Sequence, residues 1–396
     1  MNVSSENINF YDQQPVSRGW GIYIHIPFCK QACHYCDFHF STTIKNKDRM
    51  VFAICKELQL RVTEIQENTT IETIYFGGGT PSVLSSDALQ CIIDTVFEHY
   101  NVSRDVEITL EANPDDLTAQ KILKLSKTKI NRLSIGIQSF FDEDLRLMNR
   151  VHNAEQAKQS VLKTQHYYEN ISIDLIYGIP GMSSERWTQN LDMAIDLNTP
   201  HISSYALTVE PNTALASFVS KGIVAPVTDE LAQEHFEILV SKMENANFIN
   251  YEFSNFGKPG YLSKNNTAYW QGKSYLGIGP SAHSYNGLQR SWNINNNSKY
   301  LKSLENNELP LEVETLSLTD RYNEYIMTGL RTIWGVSLQK IKTDFGNIYH
   351  RYILQQAQKY LDQHLLYLDN DILLVTKKGK FLSDGIASDL FLVNLK

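Results

Sequence analysis

Cys29, Cys33 and Cys36 stand close together in the run Ile24-His25-Ile26-Pro27-Phe28-Cys29-Lys30-Gln31-Ala32-Cys33-His34-Tyr35-Cys36. Their C-x3-C-x2-C spacing puts three thiolates in one short loop that can wrap one face of a cube-shaped iron–sulfur cluster, and such a cluster wants four thiolates. One iron is left without a protein ligand. An open iron can hold a substrate or cofactor as well as pass electrons, which separates this pattern from an electron-transfer ferredoxin. Zinc is the competing use of the triplet, because it takes four N or S ligands in a tetrahedron and His25, His34 and His39 lie near in sequence. The spacing argues against zinc: three residues and then two, with Tyr35 and Asp37 around the last cysteine.

A second group of chemically able residues is more dispersed. Gly77-Gly78-Gly79-Thr80 lacks the Gly-x4-Gly-Lys-Ser/Thr pattern of a phosphate loop. Three consecutive glycines let backbone groups approach a ligand closely, or simply make a turn. Glu111 and Asp174 are carboxylates suited to ribose hydroxyls or an ammonium group, and Arg150 can meet a carboxylate in a bidentate way. With Gln138, they suit a nucleoside amino acid better than a nucleotide. Cys55 and Cys91 fall in predicted helices and read as small buried hydrophobes.

The elements that must position these groups are short apolar, β-branched segments alternating with helical ones. Strands are predicted over 20–28, 71–77, 106–112, 132–139, 171–178 and 202–209. Helices are predicted over 47–66, 86–99, 154–168, 184–197 and 229–246. Repeated βα units predict an α/β chain with a parallel sheet, curved into a partial (β/α)6 barrel; a flat doubly wound sheet is the alternative. In either architecture chemistry gathers at the carboxyl ends of the strands. The polar residues stand there: the cysteine loop after the first strand, the glycine run after the second, Glu111 on the third, Gln138 on the fourth, Asp174 on the fifth, and Tyr205-Ala206 on the sixth.

After residue 250 the rhythm changes. A further strand is predicted over 251–256, and the aromatic, glycine-rich stretch 265–283 reads as loop, the kind of long irregular segment that carries function or joins domains. Helices return over 320–332, 338–345 and 348–364, then a hairpin over 366–375 that turns at Asp369-Asn370-Asp371, then a last helix over 378–390. This reads as a mainly helical, winged-helix-like module. The expected organisation is a leader (1–19), the barrel (20–250), a connecting segment (251–317) and the C-terminal module (318–396).

The chain's 396 residues, 42% hydrophobic and 20% charged, suffice for a large core plus a smaller domain. The net charge of −8 argues against a nucleic-acid partner. No apolar run approaches the ~20 residues of a membrane span, and Met1 to Phe10 has neither a basic stretch nor an apolar core, so no membrane segment is expected and the cytoplasm is the expected location. Five cysteines with three clustered do not form a disulfide framework.

Taken together, C-x3-C-x2-C with an aromatic before the last cysteine and Gly-Gly-Gly-Thr-Pro on the next strand resemble the radical S-adenosylmethionine (SAM) proteins. The finer similarity is to the oxygen-independent coproporphyrinogen III oxidase group, through His25-Ile26-Pro27-Phe28-Cys29, Leu133 to Phe140, Asp174 to Pro180 and Asn323 to Arg331. The resemblance implies that Cys29, Cys33 and Cys36 hold a 4Fe–4S cluster whose open iron is chelated by the amino and carboxylate groups of SAM. It implies that Tyr23, Gly78 and Glu111 line that SAM, and that the backbone of Tyr35 touches the adenine. Gly79, Thr80, Gln138, Arg150, Asp174 and Ala206 match positions that hold a second SAM in the oxidase. One electron from the reduced cluster, supplied by a donor such as a flavodoxin or ferredoxin, would cleave SAM to methionine and a 5′-deoxyadenosyl radical.

Two departures move the expectation. The oxidase carries a fourth cysteine two residues after the third, where this chain has Phe38. That places it with the oxidase-like subgroup of haem chaperones, which bind haem and pass it to an acceptor protein. Members of that subgroup usually carry a His-Asn-x-x-Tyr motif for haem, and here the run is Asn265-Asn266-Thr267-Ala268-Tyr269. An amide is a poor iron ligand beside imidazole, so either another residue such as His283 ligates the iron, or haem is held by Asn266 and Tyr269 without this bond. Haem chaperone is thus the first reading. A coproporphyrinogen dehydrogenase, abstracting hydrogen from propionate side chains and releasing carbon dioxide, is the second, and a radical SAM methylase the third. Whether the chain is an enzyme stays open.

Overall fold

The computed structural model describes residues 19–393. The expected leader, apart from Gly19, lies outside the described residues. Six strands, β1 (Trp20–Ile26), β2 (Ile71–Gly78), β3 (Val102–Ala112), β4 (Arg132–Gln138), β5 (Asn170–Tyr177) and β6 (His201–Ala206), pair in sequence order and all in parallel. Between and after them run α1 (Lys47–Leu60), α2 (Ser86–His99), α3 (Ala119–Leu125), α4 (Asp142–Leu147), α5 (Ala154–Thr164), α6 (Ser184–Asp196), α7 (Ala214–Ser220) and α8 (Asp229–Asn245). The partial barrel expected from the sequence is present, and its order carries no reversal.

Alternation along each strand explains both the core and the site. On β1, Ile22, Ile24 and Ile26 are fully buried beneath the helices, whereas Gly21, Tyr23 and His25 face the barrel interior; on β2, Ile74 and Phe76 are buried and Thr73 and Tyr75 face inward. The apolar row packs with Ile54, Leu58, Leu89, Ile92, Val161 and Leu191 from the helices into one large core. All of these helices except α1 and α4 start on oxygen-bearing caps: Ser85, Thr118, Asn153, Ser183, Thr213 and Thr228 each accept a backbone N–H from the first turn.

The sheet does not stop at six strands. Its order is β12-β11-β10-β9-β1-β2-β3-β4-β5-β6-β8-β7, with β7 (Ile249–Asn250), β8 (Asn255–Gly257), β9 (Tyr275–Ile278), β10 (His283–Tyr285), β11 (Gln289–Asn293) and β12 (Leu311–Thr315). β9 lies parallel to β1, and β10 to β12 follow as an antiparallel extension. Two expectations are corrected here. The strand expected over 251–256 is mostly a turn: β7 ends at Asn250 and β8 begins only at Asn255, and between them the Glu252 carboxylate accepts the Ser254 N–H at 3.1 Å. The stretch 265–283, expected as loop, contains α9 (Lys264–Trp270), capped by Ser263, and β9. Its glycines mark close packing: a Cβ on Gly277 would lie 1.9 Å from the His283 carbonyl oxygen.

Beyond β12, α10 (Asn297–Glu305) having already covered the barrel beside α1, come α11 (Leu318–Leu330), α12 (Leu338–Asp344), α13 (Asn347–Asp362) and α14 (Ser383–Asp389). They surround a second core that includes Tyr322, Ile326, Ile341, Ile353, Leu373 and Leu390. A three-stranded antiparallel sheet, β13 (Val336–Ser337), β15 (Ile372–Val375) and β14 (Leu366–Asp369), completes a winged-helix-like module whose hairpin is the expected one. The module is tied to the barrel by an ion pair of Arg290 with Glu324 at 2.8 Å. Arg331 adds a second tie, its guanidinium 5.4 Å from the Trp270 ring centre and 5.6 Å from that of Phe253. Among the described residues no helix is long and apolar enough to cross a membrane. Cys55 is only partly buried and Cys91 is exposed, correcting their expected burial: Cys91 sits on the outward face of α2, opposite Leu89, Ile92 and Ile93.

Candidate functional site

Pro27 ends β1, and the cysteine loop that follows is pinned from three sides. Cys29 N–H donates to the Ser41 carbonyl (3.1 Å) while Ser41 N–H donates to the Pro27 carbonyl (2.9 Å). Asn149, just past α4, receives a bond from Gln31 on its carbonyl (2.9 Å) and donates from its amide to the Ala32 carbonyl (2.7 Å). The His34 carbonyl accepts the Leu215 N–H at 2.8 Å. The glycine run is where the strand end meets this loop: a Cβ on Gly79 would stand 2.7 Å from the Phe28 carbonyl oxygen and 3.0 Å from Cys29 Sγ, and one on Gly78, whose φ is +108°, would strike the His25 ring at 2.6 Å. These glycines admit the cysteine loop itself.

The three thiols open onto a cavity of about 150 Å³. Among the described residues no three His, Cys, Asp or Glu side chains converge on a point that would seat a single ion. Three thiols lining one cavity match the donor set of an iron–sulfur cube. Thr80 donates to Cys29 Sγ (3.5 Å) and Arg150 Nη1 to Cys33 Sγ (3.4 Å), the first favouring thiolate at Cys29. Burial works the other way, raising the Cys29 thiol and pushing Cys36 up to about 11. Metal charge is what would tip these thiols to the ligating form.

Around that cavity lie Tyr35, Gly78, Gly79, Thr80, Glu111, Gln138, Arg150 and Asp174, all expected from the sequence. Gln138 reaches it through a register slip between β4 and β5 and a left-handed backbone (φ 68°), an unusual conformation for a non-glycine residue. Arg150 Nη2 donates to Asn113 Oδ1 (2.6 Å) and to the Gly136 carbonyl (3.0 Å), and Asn113 in turn donates to Thr80 Oγ1 (3.3 Å). In the sequence Asn113 reads only as a turn residue before Pro114; this chain of bonds from guanidinium to thiol gives it a place in the site.

Glu111 accepts the Tyr75 hydroxyl (2.8 Å) and Asp174 the Ser134 hydroxyl (3.0 Å). Burial, joined at Glu111 by the field of Asp174, pushes Glu111 up to about 7, and burial pushes Asp174 up to about 6. Burial holds both carboxyls above their usual range even with the Arg132 charge acting on each and that of Arg150 on Asp174, and an ammonium group bound between cluster and wall would add a cation there. That is the observation on which the site fits SAM.

Gly78, Glu111, Phe38 and Phe40 are common to this cavity and a second one of about 1100 Å³, at the top of the range for ligand clefts. Tyr23, Asn265, Asn266, Tyr269 and His283, also expected from the sequence, line it. One wall is aromatic, with Tyr269 between its neighbours, its ring centre 5.7 Å from that of Tyr275 and 5.6 Å from that of Trp270. Lys273 and Arg290, which no motif signalled, bring positive charge to it. Ala206 is the one expected site residue that lines neither cavity: it is exposed at the end of β6, and Tyr205 takes the cavity position beside it.

Comparison with known proteins bears on these groups. Residues 23–194 match the model of the radical SAM superfamily and residues 316–382 that of the HemN C-terminal domain. The chain is 31% identical over 377 residues to a protein of Mycobacterium tuberculosis named heme chaperone HemW, covering 94% of each chain. It is 32% identical over 368 residues to the Bacillus subtilis protein of that name, covering 92% of this chain and 97% of the relative. The solved structure of Escherichia coli coproporphyrinogen III oxidase (HemN), described as a radical SAM enzyme, superposes with a TM-score of 0.83 at 21% identity, over 95% of this chain and 90% of that one, and so shares the fold.

Proposed function

The chain belongs to the HemW family of radical SAM proteins, and from that premise we propose that it is a haem chaperone: it binds a 4Fe–4S cluster, SAM and haem, and passes haem to an acceptor protein. Cys29, Cys33 and Cys36 hold the cluster, with Thr80 and Arg150 as hydrogen-bond donors to the sulfurs. Tyr23, Gly78 and Glu111 take SAM at the open iron, Glu111 accepting its ammonium. When bound and reduced, the cluster supplies the electron that cleaves SAM; the chain's own part is to orient, to exclude water and to hold charge.

The observation that carries haem delivery over oxidase chemistry is Phe38. It stands two residues after Cys36, where the oxidase resemblance places a cysteine, and its side chain is 68% exposed at the boundary between the two cavities. An aromatic there offers a macrocycle a surface and offers a cluster nothing. The larger cavity, lined by Asn266, Tyr269 and His283, takes the haem. A second SAM at Gly79, Thr80, Gln138, Arg150 and Asp174, as a methylase would need, is not favoured, because about 150 Å³ must already hold the cluster face. Anaerobic reconstitution with iron and sulfide, then haem titration and a coproporphyrinogen assay on the same sample, tests the proposal. Haem-dependent absorbance without protoporphyrinogen is expected; protoporphyrinogen formation would overturn it.

A further inference from the structure

Resting on the haem reading above, we propose that His283 supplies the axial ligand to the haem iron, taking over from position 265, where this chain has asparagine. Asn265 is already committed to the fold. It sits in the first turn of α9, where its N–H donates to Glu107 Oε1 (3.2 Å) and its side-chain oxygen accepts the Thr73 hydroxyl (3.2 Å). That oxygen, the amide's only useful donor atom to a metal, is taken by the wall.

Three histidines line the larger cavity, and two are engaged. His25 bonds through Nε2 to the His39 carbonyl (2.9 Å) and through Nδ1 to the Tyr23 hydroxyl (3.3 Å), and burial lowers its pKa to about 4. His39 bonds through Nε2 to Asn297 Oδ1 (2.8 Å). His283 makes no side-chain hydrogen bond among the described residues, and its side chain is exposed toward the cavity. Among the described residues no cysteine or methionine lines that cavity, which leaves tyrosine phenols as the rival ligands, with Tyr269 the more exposed of the two exposed ones, Tyr205 and Tyr269. Burial, aided by the nearby Arg290 charge, lowers the His283 pKa, so the ring is neutral near pH 7, the form that binds iron.

A ligand must also be held still, and His283 is on rigid ground. β10 pairs it with Trp292 of β11, the ring centres 6.0 Å apart. The next residue, Ser284, accepts the Gly277 N–H (2.9 Å) and the Arg61 guanidinium (3.1 Å), both fully buried bonds. Arg290, two residues before Trp292 on the same strand, lines the cavity and is balanced by the half-buried Glu324, whose place at the guanidinium a propionate can take.

The test is titration of the full chain with ferric haem and, in parallel, with iron-free protoporphyrin IX, following the Soret and charge-transfer bands and the electron spin state. His283→Ala is expected to weaken ferric haem by at least about tenfold, the loss that removal of even an outer-shell partner causes at metal sites. Protoporphyrin affinity and melting temperature are expected to stay put, and free imidazole to restore the parent spectrum. His283→Gln, closer in size, should show the same loss if the alanine variant folds poorly. An unchanged iron spectrum in His283→Ala, or loss of the ligand band in Tyr269→Phe instead, overturns the assignment. Absence of any haem-dependent band in the unaltered chain overturns it together with the haem reading, whereas equal loss of haem and protoporphyrin would mean a packing role for His283.

Discussion

Replacing Glu57 by alanine should cost the barrel about 4 kcal/mol. Glu57 in the last turn of α1 and Arg61 just past its end are fully buried, one turn apart, and joined at 3.0 Å. The Glu57 carboxylate also accepts Asn293 Nδ2 (2.7 Å), the Gly279 N–H (2.8 Å) and the Tyr300 hydroxyl (2.6 Å). Removing it strands the Gly279 N–H and the Tyr300 hydroxyl, whereas Asn293 Nδ2 keeps the Gly279 carbonyl (2.8 Å) and Arg61 Nη1 keeps the Gly277 carbonyl (2.8 Å). At about 1–3 kcal/mol for each stranded buried donor the sum is about 2–6 kcal/mol. Breaking a buried ion pair from one side costs about 3–5 kcal/mol, and the middle of the overlap of the two ranges is the better figure. Glu64 still holds the Arg61 guanidinium at 2.7 Å, which keeps the loss from exceeding it. At about 2 °C per kcal/mol for a large domain, the melting point should fall by about 8 °C. Thermal melts of cluster-free protein measure this, and hydrogen exchange over 275–285 should quicken, since Gly279 and Asn293 hold β9 and β11 through the same carboxylate. A fall under 2 °C with exchange unchanged would refute the claim that this network supports the wall that carries His283.

Three further outcomes follow from the same structure. Cys33→Ser should lose most of the iron on anaerobic reconstitution, and iron content equal to the parent's would remove Cys33 from the cluster. Gly277→Ala drives a methyl into the His283 backbone and should destabilise by about 1–3 kcal/mol or more, read as a lowered denaturation midpoint. Glu111 has its carboxyl pushed up to about 7 in the folded chain against an ordinary 4.5, so the fold holds the extra proton. Its contribution is therefore whole below pH 4.5 and is lost as pH rises to 7 and beyond. The cluster-free protein should be less stable at pH 8 than at pH 5, and Glu111→Gln should flatten that slope; an equally steep slope in the variant counts against the buried Glu111 carboxyl as its cause.

The six parallel strands were legible because each is a β-branched run bounded by glycine, proline or a polar cluster, and because its alternation separates an apolar row from a polar one. Their carboxyl ends pointed to the site, and the cavities collect Glu111, Gln138 and Asp174 from three of them. What failed did so where glycine serves packing. Tyr275 to Gly279 read as loop because Gly277 and Gly279 look like turn formers, yet both are there to admit a neighbouring carbonyl, that of His283 and that of His25. Most of the strand predicted over 251–256 is a turn held by the Glu252 carboxylate, which accepts Ser254 N–H and the Asn255 amide, bonds that no periodicity encodes. Lys273 and Arg290 could not be found at all from spacing, since their place in the cavity depends on β9 to β11 joining β1 across some 250 residues of chain.

The wall shared by the two cavities has a thermodynamic consequence. Glu111, Gly78, Phe38 and Phe40 touch both, so a guest in the small cavity alters the free energy of a guest in the large one, and linkage makes the effect mutual and equal. In the proposed haem chaperone, a cargo that settles against Phe38 would shift the affinity for SAM at the cluster. Loading would then be metered through that one partition, with no movement of the barrel.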